Sequence, residues 1–275
     1  VDADIKAAVT SREDQGSIQM AFVVEYDGTD FVGFQRQSNG RTVQQSLEEA
    51  LTTLFKKTVI VHGCSRTDSG VHARYHVSHA DVPFLIPEEK LPLAMNAILP
   101  PDVCVKRTRV VSKDFHARFD SCGKEYVYRI WNSSSRAAVD RRFVAHVPGS
   151  LDIERMRTAA ALLTGRHDFS AFCAQSSEPE KRINPVRTME SIEVRTTPGS
   201  PLIEIRVRGK SFLYNMVRIL AGTILYAGQG KIDIADLEGI LAGRDRRLAG
   251  KTMPAKGLTL EKVFYEEDPF NGEGD

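Results

Sequence analysis

The sequence predicts an α+β fold of two ferredoxin-like (split βαβ) halves, each an antiparallel sheet covered by helices. Three observations predict it. Between Ala21 and Val111, β-branched runs and helically spaced apolar residues alternate as strand, helix, strand, strand, helix, strand, the order of the split βαβ unit. From Lys124 to Tyr265 the same order recurs with longer insertions and no detectable sequence repeat. At 275 residues, 41% hydrophobic and 27% charged, the chain can build one large domain or two ordinary ones with a real core. The expected boundaries are a flexible leader over 1–19, an N-terminal half over 20–112, a C-terminal half over 113–266 and a flexible tail over 267–275.

Each element has its own signal. Ala21–Tyr26 is a β-rich run closed by Asp27-Gly28. Thr42 is a helix N-cap followed by Val43, Leu47, Ala50, Leu51 and Leu54 at helical spacing. Thr58–Val61 and Tyr75–Val82 read as strands. Pro87 opens a helix to about Leu99 with Leu91, Ala94, Met95 and Ile98 on one face, stopped by Pro100-Pro101. Val103–Val111 closes the first half. In the second half, Lys124–Asn132 is a strand with Tyr126, Tyr128 and Ile130 on one face, which Phe143–Val147 extends. Asp152 begins a helix with Ile153, Met156, Ala159, Ala160 and Leu163 inward, ended by Gly165. Ser176–Pro185 reads as an exposed loop. Met189–Arg195 and Leu202–Arg208 read as paired strands, the second with a basic outer face. A strongly apolar helix over Phe212–Tyr226, a short helix over Ile234–Leu241 and a strand over Lys262–Tyr265 complete the order.

Composition excludes several function classes. A formal net charge of +1 argues against a uniformly basic nucleic-acid binder but leaves room for a local basic groove. The four cysteines, Cys64, Cys104, Cys122 and Cys173, are far apart and form no CxxC pair, the pattern of free thiols in a reducing compartment. His72, His76 and His79 have no matching cysteine or carboxylate cluster beside them, so no metal is expected. No apolar run reaches membrane length and no signal-peptide core is present, so a cytoplasmic location is expected.

Chemistry concentrates in Gly63-Cys64-Ser65-Arg66-Thr67-Asp68-Ser69-Gly70-Val71-His72-Ala73. Glycines at both ends let the backbone turn sharply at the end of a strand and approach another molecule closely. The loop presents one carboxylate, Asp68, and one guanidinium, Arg66, with little bulk around them. Read alone, it is equally an ordinary Asx-turn carrying a surface arginine. A second outlier is Arg218, set in the very apolar Asn215-Met216-Val217-Arg218-Ile219-Leu220 with Tyr214 and Gly222 four residues to either side. Such a charge must be paired or reach solvent.

Arg66-Thr67-Asp68 followed by Gly70-Val71-His72-Ala73 resembles the signature of the TruA-like tRNA pseudouridine synthases, with Ser65 and Ser69 where that family usually carries Gly and Ala. The resemblance extends to Gly209–Arg218, to Gly123-Lys124-Glu125-Tyr126, and to Phe115-His116-Ala117-Arg118-Phe119, and spans about Ala21 to Tyr265. It implies an isomerase that converts uridine to pseudouridine at positions 38 to 40 of the tRNA anticodon arm. It also implies a homodimer with no metal or cofactor.

Residue by residue, it makes Asp68 the catalytic carboxylate, Arg218 its ion-pair partner, and Tyr126 the ring that stacks on the target uracil. Arg66 would hold the space or backbone of the flipped nucleotide, and His116 and Arg118 would contact RNA or line the cleft. Core packing is the expectation for Phe115 and Phe119. Arg36, Arg41, Arg74, Lys181, Arg182, Arg187, Arg206, Arg208 and Lys210 are further groove candidates, as is the Arg244, Arg246 and Arg247 loop. Whether Asp68 attacks C1′ or takes a proton from C2′ stays open. The alternatives are a synthase acting at other RNA positions, a non-catalytic RNA-binding module, and a metal-dependent hydrolase using His72 and His76.

Overall fold

The computed structural model describes residues 16–174 and 184–271. Residues 1–15 of the expected leader, 272–275 of the expected tail, and 176–183 of the expected loop with Lys181 and Arg182, lie outside the described residues.

The first half runs β1 (Ile18–Tyr26), α1 (Val43–Phe55), β2 (Val61–Gly63), β3 (His72–Val82), α2 (Leu91–Asn96) and β4 (Val103–Val110). The second runs β5 (Ser121–Trp131), β6 (Ala145–His146), α3 (Ile153–Leu163), β7 (Gly165–Asp168), β8 (Val186–Thr196), β9 (Leu202–Gly209), α4 (Met216–Gly228), α5 (Leu237–Gly243) and β10 (Leu258–Tyr265). The fold is α+β, built on one sheet in the order β4-β1-β3-β10-β5-β9-β8-β7, with β2 on β3 and β6 on β5. Strands of the first half stand as β4-β1-β3-β2 and those of the second as β10-β5-β9-β8, the same arrangement twice. Helix α3 packs on α4 and β8, and α4 packs on β5. A single buried core runs through both halves, from Met20 and Val77 to Tyr128, Ile205 and Leu220.

The two arrangements meet at β3, and the meeting point makes the site. One edge of β3 is taken by β1. The other edge is split: Ser78–Ala80 pair with β2, while only His72 and Ala73 pair, in parallel, with β10. The segment 64–71 leaves β2 and fills the fork between these two partners.

Several boundaries differ from the sequence expectations, each for a local reason. Thr58–Ile60 is not strand, because the amides of Val59 and Val61 are held by α1 side chains, Thr52 Oγ1 and Glu48 Oε1. The expected helix from Pro87 shrinks to Leu91–Asn96: Pro87 O caps a turn with the amides of Lys90 and Leu91, and Asn96 ties the far end to Val105. Leu99 is therefore buried and Ile98 is 41% exposed. Helix α4 starts at Met216 rather than Phe212, because Asn215 sits in the left-handed region at φ 58°. Tyr214 thus precedes the helix, 52% exposed, and shares no helical face with Arg218. Strand β7 had no alternation long enough to be read. The outer face of β9 is charge-paired rather than basic: Arg206 meets Glu125 and Glu204, and Arg208 meets Glu190.

Candidate active site

The loop that carries Asp68 is fastened at nearly every residue. Cys64 N donates to Val77 O, and His76 Nε2 donates to Ser65 O at 3.0 Å. Phe34 N donates to Thr67 O, and the Thr67 hydroxyl is 2.7 Å from Tyr26 Oη. Gly70, at φ +75°, turns the chain back so that its N–H reaches Phe31 O; an L side chain would be strained there. Both serines of the motif add bonds. Ser69 Oγ donates to Phe31 O, and Ser65 Oγ lies 2.9 Å from Tyr126 Oη. Ser65 has no positive φ, so no glycine is needed at that position.

Arg218 stands in the first turn of α4, and its guanidinium is aimed by two hydrogen-bond acceptors toward the Asp68 carboxylate. Nε donates to Met253 O at 2.7 Å, Nη1 donates to Asn215 Oδ1 at 2.6 Å, and Nη1 lies 3.7 Å from Asp68 Oδ2. The last distance is an ion pair and too long for a hydrogen bond. Met253 is within reach because the segment before it crosses α4 at Gly222, where a Cβ would lie 1.9 Å from Lys251 O. Asp68 and Arg218 are both largely buried, with side chains 26% and 17% exposed. Burial pushes the Asp68 carboxyl above the usual carboxylate range, and the Arg218 charge opposes that rise.

A cleft of about 370 Å³ opens over this pair, bounded by 64–68, by 211–217 and by β5. Tyr126 forms part of its wall, with its ring edge-on to Phe212 at 5.1 Å and its hydroxyl held by Ser65. Tyr128, next on the same face of β5, is fully buried and donates to Pro254 O, a core role. Arg66 and Arg118 line the cleft as exposed side chains with no carboxylate partner among the described residues. Lys124, which sequence reasoning passed over, also lines it while only 7% exposed. Its signal was present: it lies two residues before Tyr126, on the inward face of a strand.

The remaining candidates lie elsewhere. His116 borders a smaller depression of about 170 Å³ with Arg66, Arg118 and Phe119, and its Nδ1 accepts the amides of Arg118 and Phe119. Phe119 is 74% exposed, against the expectation of core packing, whereas Phe115 packs against the core. Arg36 is held by Glu48 on α1, and Arg74 lies on a separate depression 3.8 Å from Glu261; neither reaches the Asp68 cleft. Carboxylates also engage Arg41, Arg244 and Arg247, at Asp102, Asp168 and Asp245. Arg187 and Arg246 donate to backbone carbonyls. His72, His76 and His79 form no metal-binding group among the described residues. All four cysteines are free thiols.

With this geometry in view, comparison with known proteins is specific. The family model described as tRNA pseudouridine synthase matches residues 22–120 and 159–266. The tRNA pseudouridine synthase A of Bacillus pumilus is 44% identical over 245 residues, covering 88% of this chain and 97% of the relative. That of Geobacillus kaustophilus is 45% identical, covering 90% and 94%. That of Ruminiclostridium cellulolyticum is 42% identical, covering 90% and 99%.

Proposed function

The chain belongs to the tRNA pseudouridine synthase family, and from that premise we propose that Asp68, paired with Arg218, performs the chemistry in the cleft walled by Tyr126. The reaction is an isomerisation of uridine to pseudouridine in tRNA: the C1′–N1 bond breaks and the base is rejoined through C5. Atoms and oxidation state are conserved, so the conversion needs no redox cofactor and no nucleotide fuel. The observation that carries the residue assignment is a buried carboxylate facing a fixed guanidinium at the base of a nucleotide-sized cleft. Arg218 keeps Asp68 ionised against burial, as either attack at C1′ or proton removal at C2′ requires.

A stacked uridine must leave its helix to reach Asp68, at a cost of a few kcal/mol. Stacking on Tyr126 returns about 1–3 kcal/mol. Arg66 and Arg118, exposed at the mouth, take the phosphates on either side of the flipped nucleotide. His116 supports that rim by capping the turn that carries Arg118. Arg36 and Arg74 fall outside this cleft and would meet only distant parts of the tRNA. The target positions are 38 to 40 of the anticodon arm, the protein acts as a homodimer, and it works in the cytoplasm. No helix among the described residues is long and apolar enough to cross a membrane.

Position-resolved pseudouridine mapping on unmodified tRNAs, with sedimentation of the enzyme alone and with tRNA, tests this reading. Conversion confined to 38 to 40 by a two-chain species is expected. Conversion at other uridines overturns the substrate assignment, and an active single-chain species overturns the dimer.

A further inference from the structure

Lys124 is a buried cation without a counter-charge. Its side chain points to the same face of β5 as Tyr126, and it is 7% exposed. Its ammonium donates to Ser121 Oγ at 3.2 Å, and no carboxylate pairs with it among the described residues. The titratable group beside it, Cys64, is pushed up to about 11 by burial, so that thiol stays neutral at physiological pH and does not balance the charge. Leaving an ammonium unpaired in such a place is costly. The cost shows in the lysine itself, whose pKa is lowered, chiefly by burial. A buried, uncompensated cation in a cleft wall is the kind of group that binding and catalytic sites hold.

The cations of the cleft sort by depth. Arg66 and Arg118 are exposed at the mouth, where a polynucleotide backbone must remain. Arg218 belongs to Asp68. Along the inward face of β5, Lys124 and Tyr126 line the cleft, and Tyr128, next on that face, lies outside its lining. Lys124 lines the same cleft as Asp68 and Tyr126 and lies on the Tyr126 face of β5, so it belongs to the wall that a base lying along Tyr126 would meet.

We propose that Lys124 contacts a carbonyl oxygen of the flipped uracil and stabilises the negative charge that base acquires when its glycosidic bond breaks. This rests on the assignment of Asp68 and the cleft made above. The step is the same on either route. When Asp68 attacks, a carboxylate oxygen–C1′ bond forms as C1′–N1 breaks. When Asp68 removes the C2′ proton, the C2′–H pair becomes the C1′–C2′ double bond as C1′–N1 breaks. In both, uracil departs with the N1 bonding pair, spread over its two carbonyl oxygens. Rejoining uses the C5 electron pair to bond C1′. As C5 bonds C1′, either the Asp68 oxygen–C1′ bond breaks and frees the carboxylate, or the C1′–C2′ double bond takes the proton back at C2′; the C5 proton is then lost and N1 gains one. A preorganised ammonium at the carbonyl lowers the barrier to departure and contributes little to ground-state binding.

The rival is a structural latch, since Ser121 Oγ accepts from Lys124 Nζ and donates to Arg118 O, so that the Arg118 turn is tied to the start of β5 beside Lys124. Four full-length proteins separate the two: wild type, Lys124→Met, Lys124→Arg and Ser121→Ala. Each is measured for single-turnover pseudouridine formation and for tRNA affinity across a salt series. The proposal expects Lys124→Met to lose about 100- to 1,000-fold in rate, as for removal of one oxyanion donor. Its affinity and salt slope should stay near wild type. Lys124→Arg should recover about tenfold or more of that loss by keeping the charge, and Ser121→Ala, which keeps the ammonium but releases its hydrogen bond, should lose clearly less than Lys124→Met. Three results overturn it: Ser121→Ala reproducing the loss, Lys124→Arg no better than Lys124→Met, or Lys124→Met lowering the salt slope by about one, the mark of a phosphate contact. A wild-type protein that forms no pseudouridine while still binding tRNA overturns the functional reading and this inference with it.

Discussion

Taking water from a carboxylate raises its pKa, and placing a guanidinium beside it lowers it. At Asp68 both act, burial is the larger, and the carboxyl ends above its ordinary value. In the proposed role Asp68 acts ionised, so the rate should fall as pH drops through that raised pKa. Removing the opposing charge with Arg218→Met should move the acid limb of the single-turnover rate to higher pH, and Arg218→Lys should move it less. A pH–rate profile of the three proteins checks this, and an unmoved limb would detach Arg218 from Asp68. The same shift carries a stability consequence. A raised native pKa means the carboxyl's contribution is full below the unfolded value and lost as pH rises through the native one. At neutral pH the ionised Asp68 is therefore a burden on the fold, and Asp68→Asn should abolish turnover while raising Tm. His76 behaves oppositely. Burial pushes it down to about 4, while its two ring nitrogens are satisfied as a neutral imidazole by Ser65 O and the Ser78 hydroxyl. Its contribution is present above the unfolded value and lost as pH falls from about 6.5 toward 4. Acid melting in that window should ease for His76→Gln, measured as Tm against pH.

At the scale of elements, the cation is placed by a crossing. Segment 249–253 lies across α4, and its close approach at Gly222 brings Met253 O to Arg218 Nε. Gly222→Ala puts a methyl group into Lys251 O, which must move, and the Arg218 side chain loses its aim. We expect a cost of roughly 1–3 kcal/mol, as for other overpacked sites, read as a Tm lower by several degrees, with a larger proportional loss of turnover than of tRNA affinity. Much at this scale was legible in the sequence. Period-two alternation set Tyr126, Tyr128 and Ile130 inward on β5, and the Thr42 and Asp152 caps mark where α1 and α3 start. Where reading failed, one residue's backbone or a distant partner decided. Asn215 in the left-handed region ended a run of apolar residues that had looked helical from Phe212, and Asn96 bound to Val105 shortened α2. Lys124 was missed because a lysine in a strand is usually a surface charge; its register with Tyr126 was the visible warning.

Across the whole molecule, two similar strand arrangements join into one sheet through two parallel residue pairs between β3 and β10. Element order within each half can be read from local pattern, but a join this small between residues far apart in sequence leaves no periodic trace. The charge balance has the same origin. A net charge of +1 hides the fact that Arg36, Arg41, Arg206 and Arg208 are neutralised by carboxylates that only the fold brings near. Arg66 and Arg118 have no carboxylate partner among the described residues, which in the proposed reading leaves them to tRNA phosphates. Replacing either with Ala should weaken tRNA binding and lower the slope of log affinity against log salt by about one. Arg206→Ala should leave the slope unchanged, and equal slopes for all three would contradict the electrostatic map. The most direct test of the whole account is pseudouridine mapping of one unmodified tRNA incubated with wild type and with Asp68→Ala at matched binding saturation. The account predicts conversion by wild type and none by Asp68→Ala, although both bind the tRNA with similar affinity. Conversion by the alanine variant at a comparable rate would contradict it.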